Sequence, residues 1–152
     1  MSPRVESEIR PLQLGDVPLI RALSRRCFEK LWEPKDFSFF LSHGHGCNYG
    51  TFLGEGYQTL GSYCLALLVD GELDVISVAT NPDMRTKGLA KTLLSTVLTL
   101  KSVKKAFLEV DETNLAAVGL YTSLGFEVTD KRKAYYDGKR DALVMQWLRP
   151  RP

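Results

Sequence analysis

Apolar positions along the 152-residue chain fall into short runs and stripes, and each change of period marks an element. Residues 9–12 read as a short opening strand. Gly15 and Asp16 interrupt it, with Asp16 placed to cap a helix whose first turn tolerates Pro18. Leu19, Ile20, Leu23, Cys27 and Leu31 recur at spacings of three and four, giving that helix a core-facing stripe with Arg21, Arg25 and Arg26 turned outward. Pro34 breaks the pattern, because the residue before a proline is pushed out of the helical region, and residues 34–41 restart as a short second helix. Residues 43–56, rich in glycine, read as a loop and a strand whose order the pattern leaves open.

A plainer β signal follows. Residues 60–69 are a continuous apolar run closed by Asp70-Gly71, and residues 73–79 return as a second run, which together predict an antiparallel hairpin. Asn81-Pro82 ends it. From Gly88 onward Leu89, Leu93, Val97 and Leu100 share one stripe with Ala90, Leu94 and Leu98 beside it, the pattern of a long, well-buried helix. Residues 106–110 are the next strand. Thr113 or Asn114 then caps a helix carrying Leu115, Val118, Leu120 and Leu124, which Gly125 stops. Residues 126–129 and 142–147 are two last strands around the polar segment 131–141, whose Asp137-Gly138 is another turn. Hairpins favour antiparallel pairing, and a strand–helix–strand crossover through residues 73–110 adds a parallel pair. The expected class is α/β: a single domain over residues 1–152 with a mixed, mostly antiparallel sheet flanked by helices.

Composition narrows the function. The chain is 44% hydrophobic and 25% charged, with 12 Gly and 7 Pro, which is a globular profile and excludes low complexity. Twenty Lys plus Arg against 18 Asp plus Glu leave a net charge of +2, well short of the excess that phosphate neutralisation demands, so no direct nucleic-acid partner is expected. No apolar stretch reaches the roughly 18 residues of a membrane span, and the opening residues lack the apolar core of a secretion signal. A cytoplasmic protein without a membrane partner is expected. Cys27, Cys47 and Cys64 are an odd number without a C-x-x-C pair and predict reduced thiols. His43, His45 and Cys47 alternate as metal ligands do, but no second ligand cluster completes a tetrahedral site, so no metal is expected and a mobile glycine-rich loop is the better reading.

The most informative segment is 75–91, where a strand passes through a tight polar turn into a helix opening at Gly88. Free N–H groups and the positive end of the helix dipole converge there, Gly88 and Ala90 add little bulk, and Arg85, Lys87 and Lys91 add charge. That combination suits an anion, although a glycine at a helix start is common for reasons of backbone geometry alone. No G-x-x-x-x-G-K-[ST] or G-x-G-x-x-G occurs, so neither nucleotide loop is supported.

Arg85-x-x-Gly88-x-Ala90, between a strand and an amphipathic helix, resembles the pyrophosphate-binding motif of the GCN5-related N-acetyltransferases (GNAT), which bind acetyl-coenzyme A. Leu108-Glu109-Val110, then Asn114, then Leu120-Tyr121-x-x-Leu124-Gly125-Phe126 is similar to the later half of the same family. Asn81-Pro82-Asp83, Tyr135-Tyr136 and residues 141–145 look like its RimI-type branch of protein N-terminal acetyltransferases, and residues 60–148 match best. Ala90 replaces the commoner last glycine, and Arg140 stands where an acidic residue is usual.

Amine attack on a thioester needs a base for the amine and an acid for the leaving thiolate, on opposite sides of the acetyl carbon. Glu109, the one charge within the apolar run 107–110, and Tyr121, seven residues after Asn114 on one helix face, are suitable by type. Read without the family, Glu109 could simply point to solvent and Tyr121 could be core packing. The resemblance implies Glu109 as base, Tyr121 as acid, and Asn114 as a cofactor contact. It implies that Val78, Ala79 and Thr80 hold the pantetheine arm, and that Arg85, Thr86, Lys87, Gly88, Leu89, Ala90 and Lys91 hold the pyrophosphate of acetyl-CoA. Tyr135 and Tyr136 would wall the peptide, with Trp32 and Glu33 opposite. The implied partner is a protein N-terminus, an alanine of a small-subunit ribosomal protein being the case the resemblance suggests, and the basic groups at 131–133 and 139–140 could guide such a substrate. The rivals are acetylation of a small amine or a lysine side chain on the same fold, a non-catalytic coenzyme-A-binding module, and a metal-binding protein built on His43, His45 and Cys47.

Overall fold

The computed structural model of the chain describes residues 6–136 and 138–152, with Tyr136 described by its backbone alone. Seven strands form one sheet: β1 (Ser7–Pro11), β2 (Tyr49–Leu53), β3 (Thr59–Val69), β4 (Glu72–Thr80), β5 (Lys105–Asp111), β6 (Glu127–Tyr136) and β7 (Arg140–Leu148), in the order β1-β2-β3-β4-β5-β7-β6. All neighbours are antiparallel except β4 and β5. Asp70 and Gly71, at φ 51° and 82°, make the tight β3–β4 turn, both in the left-handed region that a primed hairpin turn requires. No helix among the described residues is long and apolar enough to cross a membrane.

Helices cover both faces. Leu93, Leu94, Val97 and Leu98 of α3 (Leu89–Leu98) pack with Leu73, Val75, Ala106, Leu108 and Val110, and Tyr121 of α4 (Leu115–Ser123) joins the same cluster. Burying each such leucine or valine is worth roughly 1.5–3 kcal/mol. On the other face Val17, Ile20 and Leu23 of α1 (Val17–Cys27) and Phe37 of α2 (Pro34–Ser42) pack on Phe52, Leu60, Tyr63 and Leu65.

Four sequence expectations need correction. Helix α1 ends at Cys27, so Leu31 lies beyond its stripe and is 54% exposed, and Leu19 is 38% exposed. Asp16 does precede α1, yet its carboxylate turns back to accept from the Gln13 amide at 2.7 Å and to pair with Arg10 at 3.0 Å, leaving α1 without a side-chain cap. Desolvation pushes Asp16 up, but the Arg10 hydrogen bond and the Gln13 amide outweigh it and hold the group below 3.8. The polar segment 131–141 is mostly strand: β6 is an outer strand, and an outer strand can carry charges on both faces without burying them.

The segment after α2 is tied down rather than loose. Gly46 bridges Leu67, Cys47 N–H donates to Ala66 O at 2.8 Å, and Asn48, 7% exposed, accepts from Ala66 N–H at 3.0 Å while donating to Phe40 O at 2.9 Å. A Cβ at Gly46 would lie 2.6 Å from Phe40 O, so the glycine permits the close approach. Replacing Asn48 with Ala leaves the Ala66 amide unpaired inside the protein, and an unsatisfied buried group costs about 1–3 kcal/mol. Chemical denaturation of Asn48→Ala should show a loss of that size; a midpoint equal to wild type would mean that water replaces the side chain without cost.

Candidate active site

The β4–β5 pairing is brief: Glu72, Leu73 and Asp74 oppose Lys105, Ala106 and Phe107, and then the strands part. The β3–β4 register slips at the same level. Leu65 faces Ser77 while Ala66 faces Val75, so Ile76 is the extra residue of a bulge that bends β4 away. Residues 75–80 therefore keep their ladder to β3 and present an edge toward β5 to which no strand among the described residues pairs.

A cleft of about 770 Å³ occupies the gap. Val78, Ala79 and Thr80 line one wall; Arg85, Thr86, Gly88, Leu89, Ala90 and Lys91 line one end; Asn114, Ala117, Leu120 and Tyr121 of α4 line the other wall. Helix α4 is apolar almost throughout; Tyr121 is buried and Ala117 and Leu120 are half-buried against the core, while Leu115 is 78% exposed, so the wall it gives the cleft is mostly hydrocarbon. Asn114 caps α4 by accepting from Ala117 N–H at 3.2 Å, which settles the choice between Thr113 and Asn114.

At the cleft's end α3 begins with Gly88 at φ 74°, preceded by Thr86 at φ 74°, a costly conformation for a β-branched residue. The first bond inside the helix runs from Thr92 N–H to Gly88 O, so helix geometry leaves the amides of Leu89, Ala90 and Lys91 without partners in their own helix. Gly88 has no side chain to satisfy them. Arg26 of α1 fastens this turn from outside, donating to Asn81 Oδ1 at 3.0 Å and pairing with Asp83 at 3.1 Å.

Glu109 is not among the cleft-lining residues. Alternation along β5 buries Ala106, Leu108 and Val110 under α3 and α4 and turns Phe107, Glu109 and Asp111 toward the other face. Glu109 thus stands two residues past the last paired position, on the side of the sheet opposite Tyr121. Its Oε1 lies 3.0 Å from the Arg132 guanidinium, and the Tyr135 hydroxyl hydrogen-bonds it, which raises the Tyr135 pKa above 10.0. Partial desolvation, then the facing Glu109 charge, push Asp74 above 3.8.

Tyr135 reaches Glu109 through a second bulge. Between the Arg132–Ala142 and Tyr136–Arg140 pairs the β6–β7 register slips, Ala134 takes φ 53°, and its N–H donates to Asp141 Oδ1 at 2.7 Å. The side chain of Tyr136 and the turn residue Asp137 lie outside the described residues. Arg140, unusual by type, pairs with Asp111 at 2.9 Å.

Trp32 and Glu33 have duties in α2. Trp32 lies against Phe37 and Phe40 at 5.4 and 5.5 Å, and Glu33 caps the helix in a reciprocal pair with Asp36. Neither lines the cleft, and neither does Lys87. Cys27, Phe28 and Met84 line it without having been singled out by sequence; Cys27 Sγ donates to Thr80 O at 3.3 Å. No sequence signal could have found Cys27 and Phe28, because only the packing of α1 against β4 brings them there. All three cysteines are free thiols, and burial pushes Cys64 up to about 12. Among the described residues no three His, Cys, Asp or Glu side chains form a metal-holding group. A smaller hollow of about 420 Å³ beside Leu12, Leu41 and Cys47 carries none of the residues predicted for acetyl transfer.

An apolar-walled cleft with an unpaired strand edge along one side and a helix N-terminus at its end fits a long ligand of amides finished by an anion. That is the shape and chemistry of an acyl-coenzyme A, and it defines the class as a coenzyme-A-dependent transferase. The sequence profile of the Acetyltransferase (GNAT) family matches residues 17–126, and the chain belongs to that family. It is similar to the [Ribosomal protein bS18]-alanine N-acetyltransferase of Escherichia coli (strain K12), at 29% identity over 143 residues, 90% of this chain and 94% of that one. It is also similar to the putative enzyme of that description from Bacillus subtilis (strain 168), at 27% identity over 95% of this chain and 97% of that one. The crystal structure of the Escherichia coli ribosomal-protein-S18-alanine N-acetyltransferase superimposes with a TM-score of 0.86 at 25% identity, covering 97% of this chain and 96% of that one. Arabidopsis thaliana NAA60 in complex with acetyl-CoA shares the fold, with a TM-score of 0.83 at 16% identity over 95% and 99% of the two chains. The protein is an acetyl-CoA-dependent N-acetyltransferase.

Gly88 lines the cleft with open space around it, so a side chain added there competes with a ligand for room, and its positive φ strains any larger residue. Gly88→Val should weaken coenzyme A binding at least tenfold, about 1.4 kcal/mol, by isothermal titration. Unchanged affinity would mean that the anion is held elsewhere.

Proposed function

We propose that the chain, acting as one N-acetyltransferase domain, moves acetyl from acetyl-CoA to the α-amine of a protein N-terminus, an alanine on a small-subunit ribosomal protein being the substrate that the names of its relatives suggest. The observation that carries the reading is the placement of Glu109 and Tyr121 on opposite faces of the sheet, on either side of the gap where β4 leaves β5. An amine arriving from the Glu109 face can meet a thioester lying on the Tyr121 face through that gap, which is the relation of base and acid that direct transfer requires.

Acetyl-CoA supplies the activated acyl group and a thiolate leaving group. In this reading the amides of Leu89, Ala90 and Lys91, with Arg85 and Lys91 side chains beside them, hold the pyrophosphate, and the free edge at 78–80 pairs with the pantetheine amides as an added strand would. Glu109 takes one proton from the attacking ammonium, and the nitrogen's freed electron pair forms the N–C bond. As the C–S bond breaks Tyr121 gives its hydroxyl proton to sulfur, and the second proton that the nitrogen sheds on becoming an amide restores the phenol, so the net proton released is the one on Glu109. Tyr135, hydrogen-bonded to the same carboxylate, flanks the peptide's first residue in this reading. The expectation of a cytoplasmic protein belongs to the same reading.

Thiol release from acetyl-CoA tests it with a peptide beginning in free alanine, its N-blocked copy carrying an internal lysine, and a set of polyamines. Turnover should be confined to the free-alanine peptide; polyamine or lysine turnover would overturn the substrate while leaving the chemistry. Glu109→Gln should keep coenzyme A affinity and lose about 10²–10⁴-fold in turnover, the range of a lost general base. Near-normal turnover would remove Glu109 from that role.

A further inference from the structure

We propose that Arg132 is a stand-in for the substrate's ammonium, a built-in cation that occupies Glu109 until a peptide N-terminus displaces it. The inference rests on the reading that the amine arrives at Glu109. It starts from an apparent contradiction: a carboxylate that must accept a proton is engaged instead by a guanidinium at 3.0 Å, and an arginine never gives its proton up.

The pair is built to exchange rather than to hold. Arg132 stands on β6 opposite Ala142, whereas Glu109 stands on β5 opposite Val144, so the guanidinium reaches across β7 above small aliphatic side chains. Its side chain is 53% exposed, and its contacts among the described residues are Glu109 and the ring of Tyr135, 5.7 Å away. Several neighbouring charges of this arm do hold structure. Lys131 joins Glu112 and Asp141, Arg140 joins Asp111, and Asp141 clips the Ala134 amide. Among the described residues the Arg132 side chain has no ion pair but the one with Glu109.

The electrostatics explain why a cation is kept there. Glu109 faces Asp74 across the splay, and Tyr135 offers it only a hydroxyl, so with Arg132 gone two acidic groups would confront each other. An arriving α-amine is mostly protonated near neutral pH, since its usual pKa is about 7.7–8.0. It brings the same unit charge and N–H donors as the guanidinium. Exchanging one for the other keeps Glu109 paired throughout, and the displaced Arg132 side chain returns to water, to which it is already half open. After the nitrogen has lost its charge and become an amide, Glu109 passes the proton it took to water, and Arg132 returns to the carboxylate as product leaves. The arrangement selects a cationic amine and rejects a blocked, uncharged terminus.

The test measures binding of the free-alanine peptide to the coenzyme-A-bound enzyme, and KM for the same peptide, in wild type, Arg132→Gln, Arg132→Lys, Glu109→Gln and the Glu109→Gln/Arg132→Gln pair. Removing a half-exposed competing cation should tighten peptide Kd and KM about two- to fivefold in Arg132→Gln, the range of a partly exposed ion pair. Arg132→Lys, which restores a cation, should return both toward wild type. The tightening should vanish in the Glu109→Gln background, and coenzyme A affinity should not follow it. Unchanged or weaker peptide binding in Arg132→Gln overturns the inference, as does tightening that persists without the Glu109 charge. Failure of the base assignment is separate: it appears as near-normal turnover of Glu109→Gln, while peptide Kd still decides the role of Arg132.

Discussion

The structure depends on the parting of β4 from β5. Three residue pairs join them, and the bulge at Ile76 then turns β4 away, so a sheet that would otherwise be continuous opens at its middle. An opened sheet ordinarily carries a penalty in unpaired backbone groups, each of which seeks water or a partner. Here the β4 edge, the N-terminus of α3 and the apolar wall of α4 surround one volume, and each matches a part of an acyl-coenzyme A: amides for the edge, an anion for the helix, hydrocarbon for the wall. The site consists of unmet needs of the backbone more than of individual side chains.

The same opening organises the acceptor side. Because β5 continues after β4 has left, Glu109 stands half-buried at the gap without belonging to the cleft, and the β6–β7 arm can reach it over β7. Two devices aim that arm. The bulge at 133–135, with Ala134 held in the left-handed region by Asp141, brings Tyr135 to Glu109, and the small side chain of Ala142 leaves room for Arg132 to cross. Bulges beside reacting groups commonly re-aim a side chain in this way.

Much of this was legible in the sequence, for physical reasons that differ by element. Asp70-Gly71 admits few conformations, so the β3–β4 hairpin was readable, and the α3 stripe was readable because a fully buried helix carries its period openly. Gly88 with its basic neighbours marked the anion end before any fold was known, and the interval from Asn114 to Tyr121 marked one helix face. What stayed hidden depended on tertiary placement. The strand character of 131–136 was masked by charges that an outer strand tolerates. Asp16 turned to Arg10 and the Gln13 amide and Trp32 to Phe37 and Phe40, nearby partners that the apolar period does not announce, and Cys27 reaches the cleft only because α1 packs across β4. The pairing of Glu109 with Arg132 joins residues on strands separated by a third, and nothing in either segment alone predicts it.

The measurement that tests this account most directly is a crystal structure with coenzyme A joined through its sulfur to the α-nitrogen of an alanine peptide. The account predicts pyrophosphate on the amides of Leu89, Ala90 and Lys91, pantetheine amides bonded to the β4 edge at 78–80, and the linked nitrogen at the gap between Tyr121 and Glu109. Pyrophosphate bound away from α3, with the β4 edge still unpaired, would contradict it.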